Sequence, residues 1–127
     1  MKTEQELLSL VKQNGWKYIC EFEVLSEEFM DKYHNHLWWD AVSCQQKLSE
    51  EFMIKYQDKI NWRWISSYQV LSEDFIIKYQ DKLDIEHISW CQKLSEPFII
   101  KYIDKLHIRG IIECQDISDE LRMLLKY

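Results

Sequence analysis

Leu48, Phe52, Tyr56 and Ile60 stand four residues apart, with charged and polar side chains between them. That spacing draws one apolar stripe along a helix and does not match the two-residue alternation of a strand. Start signals precede the stripe. Ser49 is a favoured N-cap, because its hydroxyl can accept from an amide that the helix leaves unpaired. Glu50 and Glu51 follow in the first turn, where acidic groups suit the helix dipole. Glu51 and Lys55 lie four apart on the outer face in the stabilising order. A second helix is predicted to start near Asn61, to bury Trp62, Ile65 and Tyr68, and to end near Gln69.

The same pattern is written out four times. Leu25-Ser26-Glu27-Glu28-Phe29 returns as Leu48-Ser49-Glu50-Glu51-Phe52, Leu71-Ser72-Glu73-Asp74-Phe75 and Leu94-Ser95-Glu96-Pro97-Phe98, every 23 residues and without insertion. Tyr33, Tyr56, Tyr79 and Tyr102 keep the period, as do Val42, Ile65, Ile88 and Ile111. Pro97 falls in a first turn, where a missing N–H costs little. Such a fixed period means stacked supersecondary units. Residues 2–24 read as a degenerate copy: Thr3 and Glu6 have capping-box spacing, and Trp16 and Ile19 fall on their repeat places. The expected architecture is all-α, a short α-solenoid of stacked two-helix repeats in a single domain over residues 1–127. Residues 2–24 form a capping repeat, 25–47, 48–70, 71–93 and 94–116 are full repeats, and 117–127 is a half-repeat cap. Glu6 takes the place of the buried phenylalanine, and Leu121 and Leu125 replace phenylalanine and tyrosine at the other end. Terminal repeats must be atypical because one face meets water, so a complete small solenoid is expected.

Composition narrows the function. The 127 residues carry a net charge of −6 that is spread along the repeats. Phosphate contacts supply most nucleic-acid affinity, so an acidic chain without a basic stripe argues against that partner. No apolar run approaches the ~20 residues that span a bilayer, and the polar start Met1-Lys2-Thr3-Glu4 is unlike a signal peptide. An intracellular protein away from membranes is expected. Cys20, Cys44, Cys91 and Cys114 all fall late in second helices. Neighbouring helix axes lie roughly 8–10 Å apart and a disulfide needs Cα atoms within about 7 Å, which predicts reduced, partly buried thiols. There is no metal-ligand spacing, no nucleophile elbow and no glycine-rich phosphate loop. Cys91 with His87 is an i, i+4 pair that lacks an orienting group and a cleft. No catalytic residue, cofactor or metal is expected.

The residues that break the period are the candidates for function. Six tryptophans are present. Trp16, Trp39 and Trp62 share one place and read as core. Trp38, Trp64 and Trp90 occupy the fourteenth, seventeenth and twentieth places of successive repeats. They can trace a diagonal across second helices and form a partner-binding surface, a role in which tryptophan is enriched. The competing reading is that they fill irregular gaps between layers. His34-Asn35-His36 replaces the Gln57-Asp58-Lys59 and Gln80-Asp81-Lys82 of later repeats. On a helix His34 and His36 point about 200° apart and cannot chelate together, so they read as a surface corner that could touch a partner. His87 and His107 complete no site. Gln46, Gln69, Gln92 and Gln115 recur just before each new Leu-Ser. Their amides can satisfy backbone groups at the junction or run as a ladder between repeats. The alternative is a polar groove that reads an extended peptide.

Leu48-Ser49-Glu50-Glu51-Phe52, Tyr56-Gln57-Asp58-Lys59 and Trp62 to Ile65-Ser66 together resemble a tandem repeat of many proteins of giant DNA viruses of the mimivirus type and of some bacteriophages. The resemblance covers essentially the whole chain. It implies a viral protein acting inside a host cell, brings no catalytic residue with it, and favours binding to host proteins. The function expected is a non-enzymatic scaffold that binds a protein partner, such as a host factor or a defence component. A structural role through self-association is the alternative. A small-ligand or nucleotide binder using the tryptophans is the lesser one.

Overall fold

The computed structural model describes residues 1–126. Among them are eleven α-helices, one 3₁₀ turn at His34–His36 and no strand. The chain forms two compact units, Met1–Trp64 and Ile65–Tyr127. In chain order the helices are α1 (Glu4–Asn14), α2 (Trp16–Phe22), α3 (Glu27–Lys32), α4 (Trp39–Gln45), α5 (Glu50–Lys55), α6 (Trp62–Tyr68), α7 (Glu73–Lys78), α8 (Ile85–Cys91), α9 (Glu96–Lys101), α10 (Ile108–Cys114) and α11 (Asp119–Lys126). Successive helices pack as in a helical-repeat solenoid: α1 on α2 and α2 on α4 in the first unit, α8 on α10 and α10 on α11 in the second.

The first helix of each full repeat is only six residues long. It starts where the recurring serine accepts from the amide three residues on: Phe29 N donates to Ser26 Oγ at 3.0 Å, Phe52 N to Ser49 Oγ at 3.1 Å and Phe98 N to Ser95 Oγ at 3.3 Å. The four-spaced stripe is therefore only partly helical. Leu48 precedes the cap, Tyr56 ends the helix, and Ile60 closes a turn whose amide donates to Tyr56 O at 3.1 Å. All four are buried nonetheless, because the turn carries the winding on past the helix end.

Two expectations change at this level. Lys55 does not settle on Glu51 within its helix; its ammonium reaches Asp31 of the preceding repeat at 2.6 Å. Tyr68, expected inside, is 60% exposed. A seven-residue helix has fewer than two turns, and its inner face is filled by adjacent residues instead. Val42 with Ser43, Ile65 with Ser66 and Ile88 with Ser89 are all fully buried. Each serine ties two repeats together. Ser43 Oγ donates to Trp39 O at 2.6 Å and accepts from Asn61 N at 2.9 Å; Ser89 Oγ does the same with Ile85 O and His107 N, both at 2.9 Å.

The recurring glutamate after the serine has more than a dipole role. The Glu27 carboxylate accepts from Ser49 N at 2.6 Å and Ser49 Oγ at 2.8 Å, and Glu73 does so from Ser95 at 2.7 and 2.9 Å. Glu96 holds Ser118 in the same way, and these bonds keep its carboxyl below the usual range. Repeats 25–47, 71–93 and 94–116 thus each fix the helix start that follows them.

Tyr56 gives this packing a pH signature. Burial first, and the hydrogen bond it donates to Asp31 second, push its phenol up to about 12 from an ordinary 10.0. The fold disfavours the phenolate, so the stabilisation is complete below pH 10 and is lost as pH rises through 12. The absorbance titration of wild type minus that of Tyr56→Phe should show a phenol ionising near pH 12. A difference curve centred near pH 10 would contradict the assignment.

Candidate functional site

The fourteenth place of the repeat is where second helices begin, and three repeats fill it with a capping side chain. Asn61 Oδ1 accepts from Trp64 N, Asp84 Oδ1 from His87 N and His107 Nδ1 from Gly110 N, each at 3.2 Å. The repeat at residues 25–47 has Trp38 there instead. Trp38 is the N-cap of α4, makes no side-chain cap hydrogen bond and is 53% exposed. A residue that would normally stabilise the helix has been replaced by a large indole facing solvent.

Trp38 lies in an open groove of about 540 Å³ within the first unit. Phe22, at the end of α2, and Trp64, in α6, share it at 68% and 37% exposure. Ala41 and Cys44 of α4 also line the groove, and their small side chains leave the rings accessible. Its charged lining is Lys17, Glu21 and Asp40. Lys17 Nζ sits over the Trp38 ring, 5.5 Å from the centroid, and 3.8 Å from Glu21 Oε1 one helical turn away. Asp40 Oδ1 accepts from Asn61 Nδ2 at 3.0 Å.

The other candidate residues go elsewhere. Trp90 belongs to the second unit and is half-buried, tilted against His107 with ring centroids 5.8 Å apart. A Cβ added at Gly110 would fall 3.1–3.2 Å from three Trp90 ring atoms, so the glycine makes room for the indole. Trp90 is thereby a packed residue, unlike Trp38. Trp16 and Trp39, read as core, are half-buried and pack on the aromatic pairs Phe29–Tyr33 and Phe52–Tyr56. His34 and His36 lie on the 3₁₀ turn rather than on a continuing helix. His36 stacks on Trp16 at 5.0 Å, while His34 Nδ1 meets Asp31 O at 2.8 Å and its ring tilts against Tyr56. Neither lines the groove.

The glutamines are buried at the junctions between second helices. Gln46 Oε1 accepts from Leu25 N at 2.9 Å, and Nε2 donates to Cys20 O at 2.9 Å and Glu23 O at 2.7 Å. Gln92 and Gln115 repeat this on the repeats before them, and the carbonyl of Gln69 accepts from Gln92 as that of Gln92 accepts from Gln115. Gln69 is buried like the others. The carboxamides of Gln46, Gln92 and Gln115 each close a helix end with three backbone bonds and leave no polar edge for a surface peptide.

The thiols differ more than their common place suggested. Cys20 is fully buried, which raises its thiol above the ordinary range, and Cys44 is half-buried, but Cys91 and Cys114 are exposed; none is bridged. Ser67 Oγ lies 2.9 Å from His87 Nδ1, and Asp84 Oδ2 lies 3.7 Å from His87 Nε2. This trio resembles a triad only in composition. The carboxylate is too far to hold the imidazole by a hydrogen bond, and its other oxygen caps α8. Among the described residues no three His, Cys, Asp or Glu side chains gather to hold a metal ion, and no helix is long and apolar enough to cross a membrane.

Sequence reasoning missed Phe22, although a signal was there: an aromatic stands where the next repeat has Gln45. It also missed the buried Ser43, Ser66 and Ser89, whose 23-residue spacing is visible in the chain. The chain was compared with protein-family models, curated proteins and solved structures, and it matches none of them.

Proposed function

We propose that the chain is a non-enzymatic helical-repeat scaffold that binds a protein partner through the groove of Phe22, Trp38 and Trp64. One observation carries this reading. Trp38 occupies a capping place without capping, and a missing N-cap costs a helix about 0.5–2 kcal/mol. A side chain that stabilises neither its helix nor the core must be kept for another contact, and tryptophan is the residue most enriched at binding hot spots. The resemblance of the repeat to those of giant DNA viruses and bacteriophages supports a host protein as the partner. Assembly through self-association is the second reading, favoured by Met123 and Leu124, which stand exposed on α11.

A photoreactive benzoylphenylalanine in place of Gln45, on the groove wall, tests the proposal. In cells that make the protein it should form an adduct with one other protein, and the adduct should disappear when Trp64→Ser is added. An adduct with a second copy of the chain would favour assembly. Adducts that ignore Trp64→Ser would remove the groove from consideration.

A further inference from the structure

We infer that the groove takes a basic peptide segment that places an arginine between the indoles and the carboxylates; this rests on the binding reading above. The groove pairs electron-rich ring faces with negative charge. Two indoles and a phenyl ring share it with Glu21 and Asp40, and Lys17 is the one cation of its lining. Ring faces attract cations through their quadrupole, most strongly for tryptophan. The chain already shows this attraction, because Lys17 holds its ammonium over Trp38 while pairing with Glu21. That ammonium acts as a resident cation covering the site.

Arginine fits better than lysine. Its guanidinium is planar and weakly hydrated, so it can stack on an indole while its fork of N–H donors meets a carboxylate. Glu21 has only the 3.8 Å contact with Lys17, which is longer than a hydrogen bond, so it can take a better donor. The net charge of −6 favours the approach of a basic segment. An acidic segment would meet two carboxylates and would have Lys17 alone to bind.

Lys17 makes the test one of sign. A random peptide library displayed on phage is selected on the wild-type chain, with depletion on Trp38→Asn, and the selected peptides are titrated by calorimetry. Peptides rich in arginine are expected, and replacing that arginine with glutamine should weaken binding at least tenfold. Glu21→Gln should weaken them several-fold, and Lys17→Gln should tighten them several-fold by uncovering Trp38 and freeing Glu21. Trp38-dependent peptides that carry no cation, or that bind more weakly to Lys17→Gln, would overturn the basic partner and leave the groove as a docking site. A library that yields no Trp38-dependent peptide would overturn both.

Discussion

Replacing Gln92 with leucine is expected to lower stability by about 3–5 kcal/mol. The carboxamide accepts from Leu71 N at 3.1 Å and donates to Ser66 O at 2.9 Å and Gln69 O at 2.6 Å. Leucine fills similar space but bonds to none of them. Each buried backbone group left unpaired costs about 1–3 kcal/mol, and the gain from burying apolar atoms in place of the carboxamide offsets only part of that. A protein of this kind has about 5–15 kcal/mol in all, so the variant should unfold at much lower denaturant. Gln92→Glu should be at least as damaging: it keeps an acceptor for Leu71 N but turns a carboxylate towards two carbonyl oxygens. The exposed Gln45→Leu provides a control with little effect. A loss below about 1 kcal/mol for Gln92→Leu in equilibrium unfolding would refute the junction account.

Trp38→Asp should move stability and binding in opposite directions. The new carboxylate can accept from Ala41 N, three residues on, as Asp84 accepts from His87 N. Supplying a missing cap is expected to raise stability by about 1 kcal/mol, with a further few tenths from the helix dipole. The same change removes an indole from the groove and should weaken the partner at least tenfold, or about 1.4 kcal/mol. A tryptophan that merely filled space would behave otherwise, since deleting one from a core costs about 3–5 kcal/mol. Paired unfolding and binding titrations decide between the two. Destabilisation beyond about 2 kcal/mol would return Trp38 to a packing role.

What could be read in advance was local. Ser26, Ser49, Ser72 and Ser95 mark helix starts because the bond that makes a cap spans three residues. Ile65, Ile88 and Ile111 betray the core because an apolar residue at a fixed period has little other reason to recur. The roles that escaped depend on partners about one repeat away. Glu27 looked like an ordinary first-turn acid until Ser49, 22 residues on, proved to be its partner. The recurring glutamine is the exception, since its place just before each Leu-Ser announces a junction role, and only its partners Cys20, Glu23 and Leu25 had to come from the structure. The three irregular tryptophans looked alike along the chain. Gly110, twenty residues beyond Trp90, sets that one apart, and the 3₁₀ turn at His34–His36 likewise moved both histidines off the helix assumed for them.

The span of the junction bonds has a consequence for how such a chain can change length. Gln46 to Leu25, Gln92 to Leu71 and Gln115 to Leu94 are each 21 residues apart, and the serine bridges are each 18 apart. Inserting or deleting a few residues between any such pair would put the wrong side chain at a buried carbonyl. A tandem duplication of 23 codons does not, wherever its endpoints fall, because every partner is regenerated at the same distance. Growth and shrinkage of this gene by whole repeats should therefore be tolerated at endpoints that lie in helices as readily as in turns. Small frame-preserving indels, ordinarily harmless in surface loops, should be the rarer survivors.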